Sequence, residues 1–200
     1  MKIGIMGGTF NPVHLGHIAM AKCALEQYHL DRIMFLPSGD PPHKKGAKIL
    51  SAKDRVALLE KAILDFPQGY IDTMEIEREG YSYTVETMEE LTALHPEVDY
   101  YYIIGGDSLA QFSTWRRPED LAKLCTFLVA PREGMEEEEF YATLESMRHR
   151  YQATMYPLAM ELIPVSSTKI REQIADLMEY MDPKVLSYIV EQKLYQSEEE

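Results

Sequence analysis

The chain has 200 residues, 46% of them hydrophobic and 26% charged, with a formal net charge of −13. That length suits one domain with a real core, and no apolar run approaches the ~20 residues that span a bilayer. The acidic balance excludes a nucleic-acid polymer as the natural partner, since phosphate backbones select basic surfaces, and a small anionic substrate would need a local basic pocket.

Much of the negative charge sits in two blocks, Glu136 to Glu139 and Glu198 to Glu200, which read as solvated faces. Met1 leads straight into a structured pattern, without the apolar stretch and small-residue cleavage site of a signal peptide, so a cytoplasmic protein is expected. Cys23 and Cys125 form no CxxC pair and are expected to be buried free thiols. His29, His95 and His149 read as surface residues.

In chain order, Ile3 to Met6 is a short apolar strand, and Leu15 to His29 is a helix with Ile18, Met20, Ala21, Leu25 and Tyr28 mostly on one side. Ile33 to Pro37 is a second strand, and a polar, Pro-rich loop follows from Ser38 to Leu50. Ser51 caps a helix to about Asp65, and Tyr70 to Glu77 reads as a third strand. Thr84 to His95 is helical, Asp99 to Ile104 is a strand, and short helices begin near Asp107 and after Pro118. Thr126 to Ala130 is a fifth strand, Glu136 to Gln152 a long helix, and Glu161 to Val165 a sixth strand. Ser167 to Met178 is helical, and Asp182-Pro183 opens a last helix to about Leu194.

Alternating strands and helices predict an α/β, Rossmann-like, doubly wound and mainly parallel sheet with helices on both faces. The expected organisation is a single domain over 1–200: a core over 1–165 and a small C-terminal helical part over 166–200. Ligands bind such sheets beyond the strand C-termini, where strand order reverses. Gly7-Gly8 ends the first strand and Gly105-Gly106 the fourth. In a 3-2-1-4-5 order these strands are neighbours, and both turns face one crevice.

The first motif is Gly7-Gly8-Thr9-Phe10-Asn11-Pro12-Val13-His14-Leu15-Gly16-His17. Gly7 and Gly8 let the backbone turn tightly and a phosphate approach its N–H groups. The loop enters a helix N-terminus, which favours anions. His14 and His17, three apart, share a helix face. Gly16 between them leaves room for a flat ring, where glycine otherwise costs ~1 kcal/mol relative to alanine. Two histidines at this spacing could equally be a metal pair or surface residues, but no third metal ligand is evident nearby.

The segment resembles the signature of the nucleotidyltransferase superfamily that carries an HxGH motif. Its members transfer a nucleotidyl group from a nucleoside triphosphate and release pyrophosphate. The second motif, Pro164-Val165-Ser166-Ser167-Thr168-Lys169-Ile170-Arg171, opens a helix with capping hydroxyls and a permanently charged guanidinium. It resembles the SSTxIR signature of the same superfamily, which holds the β and γ phosphates of ATP.

Further stretches narrow the family: Pro41-Pro42-His43-Lys44, Glu77-Arg78-Glu79-Gly80-Tyr81-Ser82-Tyr83-Thr84, and Ile103-Ile104-Gly105-Gly106-Asp107 followed by Trp115-Arg116. Along essentially the whole chain these are similar to the bacterial nicotinate-nucleotide adenylyltransferases. The resemblance implies that ATP and nicotinate mononucleotide give nicotinate adenine dinucleotide and pyrophosphate. It implies ATP contacts from Gly7, Gly8, Thr9, Phe10, His14, Gly16, His17, Gly105, Asp107, Ser166, Ser167, Thr168 and Arg171. The acceptor side falls to Asn11, His43, Lys44, Tyr83, Thr84, Asp107, Trp115, Arg116 and Arg132. Catalysis falls to His14, His17, Lys44 and Arg171.

Trp115, the single tryptophan, suits stacking on a pyridine ring. Backbone N–H groups at the helix start by Thr84 suit a carboxylate better than an amide. Lys44, Lys45 and Lys48 serve equally as solvated loop charges. Asn11 stands where the wider superfamily commonly has Asp, so no side-chain metal ligand is expected, and magnesium arrives with ATP. Related readings are a phosphopantetheine adenylyltransferase or cytidylyltransferase, and a nucleotide sensor without activity. A homo-oligomer is left open.

Overall fold

The computed structural model describes residues 1–39, 49–132, 134–161, 163–173 and 176–195. Its strands are β1 (Lys2–Gly8), β2 (Arg32–Pro37), β3 (Gly69–Ile71), β4 (Asp99–Gly105), β5 (Thr126–Ala130) and β6 (Met155–Pro157). They form one sheet in the order β3-β2-β1-β4-β5-β6, every pair parallel. The chain winds outward from β1 to β3 on one side and from β4 to β6 on the other. β1 and β4 are therefore neighbours at the reversal, with Met6 opposite Ile103.

The helices are α1 (Leu15–Gln27), α2 (Ala52–Ala62), α3 (Met74–Glu77), α4 (Thr84–Leu94), α5 (Gly106–Ala110), α6 (Pro118–Leu121), α7 (Glu137–Tyr151), α8 (Ser167–Glu172) and α9 (Pro183–Glu191). Alternate strand residues face opposite ways, so each sheet face needs its own cover. Ile5, Tyr102 and Phe127 pack under Met88 of α4, Leu109 of α5, Leu121 of α6 and Leu144 of α7. Phe35, Ile103 and Leu128 pack under Ala21 of α1, Leu58 of α2, Ile170 of α8 and Ile189 of α9. Full burial of such a Leu, Ile or Phe side chain contributes about 1.5–3 kcal/mol. α8 and α9 are thus part of the second layer, which carries the chain's late motif back over its first helix.

Two strand expectations are corrected. The third strand stops at Ile71 instead of continuing to Glu77. Asp72 Oδ1 accepts the Met74 N–H at 2.9 Å, and this side-chain turn leads the chain into α3, whose N-cap is Thr73. The sixth strand is Met155–Pro157, not Glu161 to Val165. α7 ends on Gln152 in the left-handed region (φ 51°), and the chain pairs at once with β5, Phe127 opposite Met155. Val165 is left to cover α1 from the segment before α8.

Helix ends also shift. α8 closes at Glu172, with a separate 3₁₀ turn at Met178–Tyr180, in place of one helix to Met178. α2 ends at Ala62 and α9 at Glu191, short of Asp65 and Leu194. Ser51 does cap α2, accepting the Asp54 N–H at 3.1 Å, and Asp182 with Pro183 does open α9. Cys125 is buried and Cys23 only half-buried; both thiols are free.

Candidate active site

The turn after β1 is held from outside. Ser38 N–H donates to the Gly8 carbonyl at 2.9 Å. The Arg55 guanidinium, 3% exposed, donates to the Thr9 carbonyl at 2.9 Å and to the Leu50 carbonyl at 3.3 Å. Phe10 sits in the left-handed region (φ 49°) with its ring buried, edge-on to His17 at 5.1 Å between centroids. Gly7 has to be glycine here: a Cβ would lie 2.1 Å from the Tyr102 hydroxyl, which stands over it from β4.

His14 caps α1 with extended backbone, and its N–H donates to His17 Nδ1 at 3.3 Å. Nδ1 of His17 is then an acceptor, so neutral His17 carries its proton on Nε2. The two rings lie 3.7 Å apart, centroid to centroid. His14 is 8% exposed, and burial pushes its pKa down to about 4, so it is neutral near pH 7. Its Nδ1 has no hydrogen-bond partner among the described residues. A Cβ on Gly16 would lie 3.0 Å from that Nδ1 and 3.3 Å from Val165.

The late motif docks on this turn. Ser166 caps α8, accepting the Lys169 N–H at 3.2 Å. Ser167 Oγ donates to the Pro12 carbonyl at 2.8 Å, and Arg171 donates to the Asn11 carbonyl at 2.8 Å. Thr168 accepts a second Arg171 N–H at 3.2 Å. Asn11 is 2% exposed; its Oδ1 accepts from Leu50 N–H at 3.2 Å and from the Tyr195 hydroxyl at 2.7 Å.

Two clefts open at the strand C-termini. One, of about 410 Å³, is lined by Gly7, Gly8, Thr9, His14, His17, Tyr83, Thr84, Gly105, Asp107, Trp115 and Arg116 among the expected residues. The other, of about 440 Å³, is lined by His14, Gly16, Gly105, Asp107, Arg132 and Ser166. They share His14, Met20, Gly105 and Asp107. Each is large enough for a nucleotide-sized ligand, and His14 is the imidazole common to both.

In the first cleft Trp115 is half-buried, leaning on Phe112 at 5.6 Å and edge-on to Tyr102 at 6.3 Å. The Arg116 guanidinium lies 4.4 Å from the Tyr83 ring centroid and 3.4 Å from Glu86. Thr84 begins α4, and Tyr83, Thr84 and Val85 line the cleft, so the N-terminus of that helix lies at its wall. Arg132 pairs with Asp107 at 2.9 Å. Phe10, Asn11, Ser167, Thr168 and Arg171 line neither cleft and instead hold the turn's backbone or core. His43 and Lys44 lie outside the described residues.

Some lining residues were not anticipated from sequence. Lys169 occupies the variable place in the SSTxIR pattern yet lines the second cleft. Ser38 lines the first, with its Oγ buried and unpartnered among the described residues. Glu75, 6% exposed, also lines the first. Its carboxyl accepts from Thr87 Oγ1 at 2.8 Å, and burial pushes its pKa up. The mistaken third strand concealed it.

The family model described as cytidylyltransferase-like matches residues 5–173. A probable nicotinate-nucleotide adenylyltransferase of Lachnoclostridium phytofermentans is 36% identical over 197 residues, covering 97% of this chain and 98% of that protein. One of Lactiplantibacillus plantarum is 40% identical over 201 residues, covering 98% and 88%. In fold, the chain is similar to the Plasmodium falciparum nicotinic acid mononucleotide adenylyltransferase complexed with NaAD, at TM-score 0.81, 18% identity and 97% coverage of both chains.

Proposed function

The chain belongs to the nicotinate-nucleotide adenylyltransferases, within the cytidylyltransferase-like family, and we infer from its site that it joins ATP to nicotinate mononucleotide, giving nicotinate adenine dinucleotide and pyrophosphate in NAD biosynthesis. The observation that carries the chemistry is the meeting of two clefts at one neutral imidazole, His14. Two nucleotides, one in each, would present their phosphates to each other there.

In this reading ATP takes the cleft of Gly16, Arg132, Ser166 and Lys169, and the mononucleotide takes the cleft of Thr84 and Trp115. A phosphate oxygen of the mononucleotide bonds to the α-phosphorus of ATP, and the bond from that phosphorus to the β-bridging oxygen breaks. The attacking phosphate is already an anion near pH 7, so neither a protein nucleophile nor a general base is needed. Alignment and charge stabilisation do the work. His17 Nε2–H and the imidazole of His14 donate to the oxygens of the transferring phosphoryl group. Lys169 and the α8 N-terminus meet the outer phosphates, and the family resemblance assigns Lys44 to phosphate as well. Arg171, Ser167 and Asn11 act at one remove, fixing the turn that presents the two imidazoles.

The imidazoles, Arg132, Lys169 and the hydroxyls suit phosphate, while the two lining carboxylates are engaged already, Asp107 with Arg132 and Glu75 with Thr87, so the lining fits phosphate better than a hard divalent cation. Magnesium would therefore arrive with ATP rather than on protein side chains, and would supply neutralisation of phosphate charge. A cytoplasmic setting agrees with the two free thiols.

The test is pyrophosphate release from the purified chain with ATP and, in parallel, nicotinate mononucleotide, its amide and phosphopantetheine, repeated with CTP. Fastest turnover with ATP and nicotinate mononucleotide is expected. Faster turnover with phosphopantetheine, or with CTP in place of ATP, would overturn the assignment.

A further inference from the structure

The chain's last described residue reaches its first motif. Tyr195 Oη donates to Asn11 Oδ1 at 2.7 Å, across 184 positions of sequence. The same oxygen accepts from Leu50 N–H, and the Asn11 carbonyl accepts from Arg171. Asn11 is almost fully buried, so a donor lost there is not replaced cheaply by water. Three residues on stands His14. We propose that Tyr195 is a positioning residue for the transfer reaction, holding the Asn11 turn so that His14 meets the transferring phosphate. This rests on the functional reading above.

The local structure is suited to the task. Leu194 N–H closes back on the Ile189 carbonyl at 2.9 Å, and Lys193 and Tyr195 both adopt left-handed backbone (φ 52° and 59°). That bend at the end of α9 turns the tyrosine inward, where its ring joins the apolar layer over α1 and α2. Burial pushes the phenol's pKa up, so the hydroxyl keeps its proton and remains a donor at every working pH. α9 itself packs against α2, with Val185 and Ile189 buried in the apolar layer, which gives the donor a rigid base. Positions 9 to 12 are thus gripped by side chains from α2, α8 and the segment after α9.

The experiment uses the full chain with Tyr195→Phe, which removes only the hydroxyl. A single hydrogen bond of this kind corresponds to a fall in kcat of about three- to tenfold, with the KM values of both substrates within about twofold of the parent. The ring proton signals of His14 in NMR should also shift their titration midpoint upward, as the loosened turn lets water reach the imidazole. In Asn11→Ala the hydroxyl has no acceptor, so adding Tyr195→Phe to it should change kcat no further. An unchanged kcat, or a fall in thermal stability alone with His14 unmoved, would make Tyr195 merely structural and overturn the proposal. So would a fall in kcat with His14 unmoved. Absence of dinucleotide formation by the parent would sink the functional reading instead, and the His14 titration would still decide the case for Tyr195.

Discussion

His17 accepts a hydrogen bond at Nδ1 from the backbone N–H of His14, and the two imidazoles lie tilted at 35° with centroids 3.7 Å apart. The bond has a chemical consequence: it fixes which nitrogen of His17 carries the proton. In the proposed reaction Nε2–H donates to a phosphate oxygen. We expect His17→Ala to lose at least ~10²–10³-fold in kcat, the scale for removing one preorganised donor to developing charge. The fold should survive, because the ring's contacts with Phe10 and His14 lie within one turn at the cleft and the two core layers are built without it. The readouts are pyrophosphate release and a thermal melt; near-parent turnover would remove His17 from the chemistry.

Gly16 sets activity against stability. Alanine there improves helix propensity by ~1 kcal/mol. Its methyl group would nevertheless press on the His14 ring at 3.0–3.1 Å and on Val165 at 3.3 Å. His14 is buried and cannot swing away freely, so the ring must shift by a few tenths of an ångström. Gly16→Ala should therefore melt within a few degrees of the parent while losing turnover by about tenfold or more. Full activity in a well-folded variant would show that the exact seat of the imidazole does not matter.

What could be read in advance was local. Gly7-Gly8 and the His14-x-Gly16-His17 spacing describe one turn and one helix start, and neighbours in sequence remain neighbours in space. Alternation of elements predicts a parallel sheet, but not its strand order: 3-2-1-4-5 is the common doubly wound arrangement, which the sheet adopts with β6 added at the edge. The misses share a cause. Tyr70 to Glu77 has an apolar look in places, but one side-chain turn at Asp72 overrides it. Glu161 to Val165 resembles a strand, yet the short Met155–Pro157 segment reaches β5 first. Arg55, Asn11 and Tyr195 act through partners that lie 39 to 184 positions away, and no periodicity records such pairs. Lys169 went unnoticed because its neighbours carried the pattern.

Trp115 separates the two substrates. It lines only the first cleft, whereas Arg132 and Lys169 line only the second. Loss of an aromatic stacking pair costs about 0.5–1.5 kcal/mol beyond area, or roughly two- to tenfold in affinity. Trp115→Ala should raise the KM for nicotinate mononucleotide by at least that factor and leave the KM for ATP within about twofold. Steady-state kinetics with each substrate varied in turn give the comparison. Equal increases for both would point to a collapsed cleft, since Phe112 and Tyr102 also lean on this ring.

The buried state of His14 makes the fold sensitive to acid. Its pKa falls from 6.5 to about 4 on folding because burial disfavours the imidazolium. The unfolded chain therefore binds a proton below pH 6.5 that the folded chain refuses until about pH 4. Stability from this group is complete above 6.5 and is lost as pH falls through that window, by about 3 kcal/mol in all. Replacing the ring with a group that does not titrate should remove this slope. Denaturant unfolding of the parent and of His14→Gln at pH 7, 5.5 and 4 tests it: the stability gap between them should narrow as pH falls. Bound ATP should work the other way, since a triphosphate beside the imidazole favours its charged form and raises the pKa again. The acid-side loss should then shrink in saturating ATP. Parallel pH curves for parent and variant would mean that His14 is not held neutral by the fold.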